Sequence, residues 1–343
     1  MRFIGGKSLM LDNIICILRE NTSNINTVAD IFSGSGVVAS CFKNTGFKVI
    51  SNDIMYFSYV LNRGSICLNK KPTFDNLETQ NPIHYLNNLE LRDTSFLVKD
   101  CFIFRNYSPN ESCERMYFQN ENAIKIDIIR LTIEDWHNKN LISNDEYFYL
   151  LASLISAVPY VSNITGIYAA YLKTWDIRTY NDLILKDVEI IESQEHHEAF
   201  NMDANELVKN ISADLFYIDP PYNARQYLPN YHVLETIARY DYPTISGVTG
   251  MRNYSEQKSK YCRKNEVKAA FDDLIKNIHS KYVLVSYNNE SLLSTDELTE
   301  IFRKYAKPNT FKLFEYDYRR YKNKIPNNTD GLKEQLYFFE KEN

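Results

Sequence analysis

Glycine is scarce in this chain, with 10 residues in 343, so each glycine between a strand-like and a helix-like stretch stands out. Long apolar runs are missing altogether. Nothing approaches the roughly 20 consecutive apolar residues that a membrane-spanning helix needs, and the opening MRFIGGKS lacks the charged-then-apolar pattern of a secretory leader. A membrane location is therefore not expected, and the cytoplasm is. The cysteines (Cys16, Cys41, Cys67, Cys101, Cys113, Cys262) form no C-x-x-C pair and have no histidine at ligand spacing, which argues against a disulfide framework and against a metal centre. A strong charge of either sign is also absent. The net charge of −5 counts against a protein that coats nucleic acid indiscriminately, and directs attention to local clusters of basic residues. There is no internal repeat and no low-complexity linker.

What is present is an ordinary globular composition, 44% hydrophobic and 24% charged, in a chain long enough for one large domain or two modest ones. Its most informative stretch is Asp219-Pro220-Pro221-Tyr222. Leu215–Ile218 is a short apolar run that reads as a buried strand. Two prolines stop it, because neither can donate to a sheet ladder. The expectation is a stiff loop at the carboxyl end of a strand, where open α/β sheets place their ligands. Asp219 and the Pro220 carbonyl offer acceptors and Tyr222 an aromatic face, a set suited to a flat heterocycle bearing an amino group. Such an amine is a poor nucleophile, since its lone pair is delocalised into the ring, and acceptors on its N–H bonds favour the pyramidal geometry needed for attack. An ordinary strand-end turn with a packed tyrosine is the competing reading.

The amino-terminal part carries a second signal. Val28–Phe32 is strand-like, Ser33-Gly34-Ser35-Gly36 turns tightly, and Val37–Phe42 looks helical. The strand Lys48–Ser51 then ends at Asn52-Asp53. Strand, glycine turn, helix and an acid closing the next strand form the first unit of a nucleotide-binding sheet. Taken alone, this pattern serves NAD or S-adenosylmethionine equally well. Before it, Gly5-Gly6-Lys7 leads into an amphipathic helix with Leu9, Leu11, Ile14, Ile15 and Leu18 apolar, and Lys7 is placed to meet a carboxylate.

Residues 70–185 read as a mostly helical insertion between two halves of the sheet, 1–69 and 186–343. Helices are expected over 56–68, 123–139, 146–157 and 233–240, and strands over 187–191, 197–202 and 282–287, with a last antiparallel edge strand over 336–339. Asp203 closes one strand and could reach a cofactor or cap a helix. Beyond Tyr240 the basic residues Arg252, Lys258, Lys260, Arg263 and Lys264 face the single acid Glu256 across 248–264, with tyrosines between them. That mixture suits phosphate and base contacts, as does the Arg319-Arg320 pair.

Taken together, Phe3-Ile4-Gly5-Gly6-Lys7, Phe32-Ser33-Gly34-Ser35-Gly36, Asp53, an inserted region and Asp219-Pro220-Pro221-Tyr222 resemble the D12-class, Dam-like adenine-specific DNA methyltransferases in their alpha order. The runs CERMYFQNENAIKID and DPPYNARQYLPNYHVLETIARYDYP are similar to the amino-terminal catalytic half of FokI-type modification methyltransferases. The resemblance implies a Rossmann-like sheet with a helical target-recognition insertion, and methyl transfer from S-adenosylmethionine to a flipped adenine in double-stranded DNA. It implies cofactor contacts from Phe3, Lys7, Phe32, Gly34, Gly36, Asp53, Asp203 and Asp219, and catalysis by Asp219, Pro220, Pro221 and Tyr222. The Dam enzyme has Trp at the site matching Phe3, so some stacking area is lost there. DNA contacts would come from Arg252, Lys258, Arg263, Arg319 and Arg320, in an asymmetric GGATG-like site methylated on one strand. A cognate endonuclease and a companion methyltransferase would be functional partners. The rivals are a cytosine-N4 or an RNA adenine methyltransferase, an inactive DNA-binding module, and an NAD-dependent oxidoreductase, which leaves the Asp219 loop unexplained.

Overall fold

The computed structural model describes residues 4–79, 81–317 and 331–342. Phe3, Arg319 and Arg320 lie outside these described residues. The chain divides into two compact units. A sheet unit comprises residues 7–54, 200–226 and 257–343, and a helical unit comprises 1–6, 55–199 and 227–256.

The sheet contains β1 (Thr27–Asp30), β2 (Lys48–Asn52), β3 (Glu198–Phe200), β4 (Leu215–Ile218), β5 (Tyr282–Asn288), β6 (Lys312–Asp317) and β7 (Lys333–Glu340), in the order β3-β2-β1-β4-β5-β7-β6. β1 pairs in parallel with β2 and β4, and β4 with β5. These strands read as continuous apolar runs because helices cover parallel sheets on both faces, and every residue of β4 and β5 is buried. This is the Rossmann-like α/β sheet expected. The strand order reverses between β1 and β4, and such a switch point opens a crevice at the carboxyl ends of the strands. Register pairs Asp30 with Ser51 and with Tyr217, so Asp30, Asp53 and Asp219 all fall at that end.

Two strand expectations are corrected. Asp187–Ile191 forms no strand. The stretch follows the helix Asn144–Ala157 instead, with Tyr149 donating to the Asp187 carboxylate at 2.8 Å and Ser153 to the Lys186 carbonyl at 2.6 Å. Its acids Asp187 and Glu189 are exposed and its apolar residues Val188, Ile190 and Ile191 only half-buried. β7 is antiparallel, as expected, but it is not at an edge, since it sits between β5 and β6. Six of its eight residues are buried, whereas β6 alternates exposed and half-buried positions, the character of an edge strand that resists further pairing. Leu9 also departs from the reading: it precedes the helix Leu11–Asn21 and is exposed.

The helical unit is joined by buried polar contacts between segments distant in sequence. Glu235, on the helix Leu228–Arg239, accepts from the Tyr56 and Phe57 amides that begin the helix Tyr56–Ser65. Asp127, on Asn120–Asn138, accepts from the Ile103 and Phe104 amides at 2.8 Å, and Tyr240 donates to it as well. Arg130 donates to the Ile237 and Ala238 carbonyls. Each places charge where unpaired helix-end groups favour it. Gly64 permits a close approach of the helices Tyr56–Ser65 and Asn144–Ala157, since a Cβ there would lie 2.4 Å from the Phe148 carbonyl oxygen.

Candidate active site

The glycine turn after β1 is shaped by backbone that a side chain would strain: Gly34 has φ of 51° and Gly36 of 79°. Gly36 precedes the helix Val37–Asn44. The Gly34 amide donates to Asp53 Oδ2 at 2.8 Å, so the acid closing β2 latches the turn that follows β1. Phe32 packs edge-on against Tyr261 with centroids 5.2 Å apart. Asp203 caps the short helix Ala204–Leu207, accepting from the Asn205 amide at 2.9 Å.

Asp219 follows β4 with its side chain 16% exposed, 3.2 Å from Lys7 Nζ. Lys7 is buried at 4% exposure and also donates to the Glu334 carboxylate on β7. Ser286 Oγ on β5 donates to the same Glu334 oxygen at 2.8 Å. Burial, with the Glu334 charge adding to it, pushes Asp219 up to about 7 against the pull of Lys7. Burial opposes the Lys7 charge, but Asp219 and Glu334 outweigh it and raise the ammonium above its ordinary value. Lys7, expected to meet a carboxylate, lies between two carboxylates of the protein. The Tyr222 ring centroid is 5.4 Å from Lys7 Nζ and meets Tyr287 edge-on, while Pro220 is buried and Pro221 half-buried behind it.

The sequence reading missed Asp30, Ser286 and Glu334. Asp30 is fully buried, and among the described residues its Oδ1 has no hydrogen-bond partner. Burial first, then the Asp219 charge, holds its carboxyl well above the usual range, partly offset by the Phe32 and Ala39 amides. An acid among the buried residues of β1, just before the glycine turn, was the available signal. The strand ends therefore gather three carboxyl groups, Asp30, Asp53 and Asp219, and among the described residues Lys7 is the cation paired with Asp219.

The basic residues fare differently from one another. Arg252 is buried, its two terminal guanidinium nitrogens 3.0 and 2.6 Å from the Asp241 carboxylate. Such a bidentate pair fixes the backbone of the helical unit and leaves little for a base edge. Lys258 is exposed, and Arg263 is exposed beside Glu266 at 2.7 Å. The turn over residues 246–251 is held by Arg115, which donates to the Gly247 and Val248 carbonyls, and by Tyr107, which donates to that of Gly250.

A family model described as D12 class N6 adenine-specific DNA methyltransferase matches residues 3–301. The chain is similar to the type II methyltransferase M.FokI of Planomicrobium okeanokoites, 44% identical over all of this chain and 53% of that protein. Modification methylase StsI of Streptococcus sanguinis is 41% identical over 99% of this chain and 52% of the relative. M.NlaIII of Neisseria lactamica is 38% identical over 94% of this chain and 92% of the relative. The chain spans about half the length of the first two relatives and nearly all of the third. Among the described residues, no helix is long and apolar enough to cross a membrane.

Proposed function

The chain belongs to the D12-class N6 adenine-specific DNA methyltransferases, and from that premise we propose that it methylates the exocyclic amine of adenine in double-stranded DNA, as the modification enzyme of a restriction–modification system. The observation that carries this reading is the Asp219 carboxylate, held on the stiff loop after β4 by a single cation amid other acids.

S-adenosylmethionine, when bound, supplies a methyl group on a cationic sulfur. The Gly34–Gly36 turn, Asp53 and Asp203 would hold it, with Phe32 and Phe3 adding apolar contact, and the Asp219 carboxylate suits its positive charge. Tyr222 would stack on the extruded base. Asp219 and the Pro220 carbonyl would each accept one N–H bond of the amine, aligning its lone pair. Asp219 would also take up the proton that the nitrogen sheds on methylation. Positioning and placed acceptors carry most of such catalysis.

The inserted region 70–185 would select the target, and Lys258, Arg263, Arg319 and Arg320, all in the 257–343 part of the chain, would contact DNA. An asymmetric GGATG-like site modified on one strand would need a companion enzyme for the other strand, beside a cognate nuclease. In the test, labelled cofactor is supplied with DNA and the products are read by single-molecule sequencing and nucleoside mass spectrometry. N6-methyladenine in one motif is expected, with Asp219→Ala lowering transfer by about 1000-fold or more while cofactor binding persists. Normal turnover by that variant would sink the assignment, and N4-methylcytosine or modified RNA would redirect it.

A further inference from the structure

Lys7 and Glu334 stand 327 positions apart in the chain yet meet inside the sheet unit. A lysine buried against Asp219 alone would neutralise the acceptor that the amine needs. Glu334 is 2% exposed and fixed by the Ser286 hydroxyl at 2.8 Å, an unusual degree of burial for an acid. With one cation against two carboxylates, Lys7, Asp219 and Glu334 sum to one net negative charge.

We propose that Glu334 is a positioning residue for methyl transfer: it holds Lys7 as a second counter-charge, so that Lys7 anchors Asp219 without cancelling the negative charge presented to the target amine. The inference rests on the catalytic reading of Asp219 given above. Asp30 and Tyr217 face Asp219 from β1 and β4, and Tyr222 faces Lys7. Of these groups, only Lys7 carries positive charge.

The experiment follows the Asp219 carboxyl midpoint by carbon NMR in the full chain, alongside the pH profile of kcat. In Glu334→Gln the midpoint is expected to fall by about one pH unit, and the acid limb of kcat to move with it, while KM for DNA changes little. Glu334→Asp restores the charge and should return both towards wild type. Lys7→Gln is the second variant, and there the midpoint should rise. A midpoint that stays in place in folded Glu334→Gln, or that moves the same way in both charge-removing variants, overturns the proposal. The midpoint needs no turnover. A wild-type chain that transfers no methyl group would therefore count against the function proposed above, while the NMR titration would still decide the role of Glu334.

Discussion

Asp127 in the helical unit and Asp219 in the sheet unit are both buried carboxylates pushed up to about 7, chiefly by burial, but their surroundings differ in kind. Asp127 receives two backbone amides and the Tyr240 hydroxyl, all from segments it ties together. Asp219 has one cation beside it at 3.2 Å and the Glu334 charge opposing it. The first carboxylate has three donors of the protein on its two oxygens and acts as a joint. The second retains capacity for a group that arrives from outside. Burial alone does not separate a structural acid from a working one; the tally of donors does.

The sharpest break in that comparison comes from removing each acid. Asp127→Ala leaves two amides and a hydroxyl buried without their acceptor, and should lower unfolding free energy by about 3 kcal/mol or more, read by urea denaturation. The fraction that remains folded should keep its methylation rate. A smaller and opposite effect is expected from Asp219→Asn. A carboxyl whose folded value is raised favours the protonated protein, so the stability it contributes is complete below about pH 4 and is lost as pH rises through about 7. The variant should therefore match wild type near pH 4 and exceed it by about 2 kcal/mol at pH 8, while losing activity. Equal melting temperatures across that range would show that Asp219 is no costlier to bury ionised than Asn.

Two further tests address the units separately. Gly64→Ala pushes a methyl group against the Phe148 carbonyl and should cost about 1 to 2 kcal/mol in thermal unfolding, with no change in the pH profile. Lys258→Ala should weaken DNA binding only a few-fold and reduce the salt dependence by about one phosphate contact's worth, a slope change near 0.9. An unchanged slope would remove Lys258 from the DNA interface.

The legible parts of the molecule are those whose logic is local. Two glycines and an acid spaced by one strand announce the turn that Asp53 latches, and Pro220-Pro221 marks where β4 must stop. Glu334 and Ser286 gave no such signal, because their meaning comes from antiparallel pairing of β7 with β5, which depends on the whole sheet. Asp187–Ile191 misled for the same reason. Its alternation fits a strand, and only the neighbouring helix, which binds it through side chains, determines that it is not one. Arg252 reads as a free cation in sequence because Asp241 becomes its partner through the turn between them.

The pairing of Lys7 with Glu334 also sets an order of events during synthesis. The glycine turn and the Asp219 loop leave the ribosome well before β7, which inserts between β5 and β6 rather than adding at the margin. Before that strand is in place, Lys7 has no Glu334 carboxylate to meet. The complete charge set around Asp219 is thus a property of the finished sheet and of no shorter segment of it.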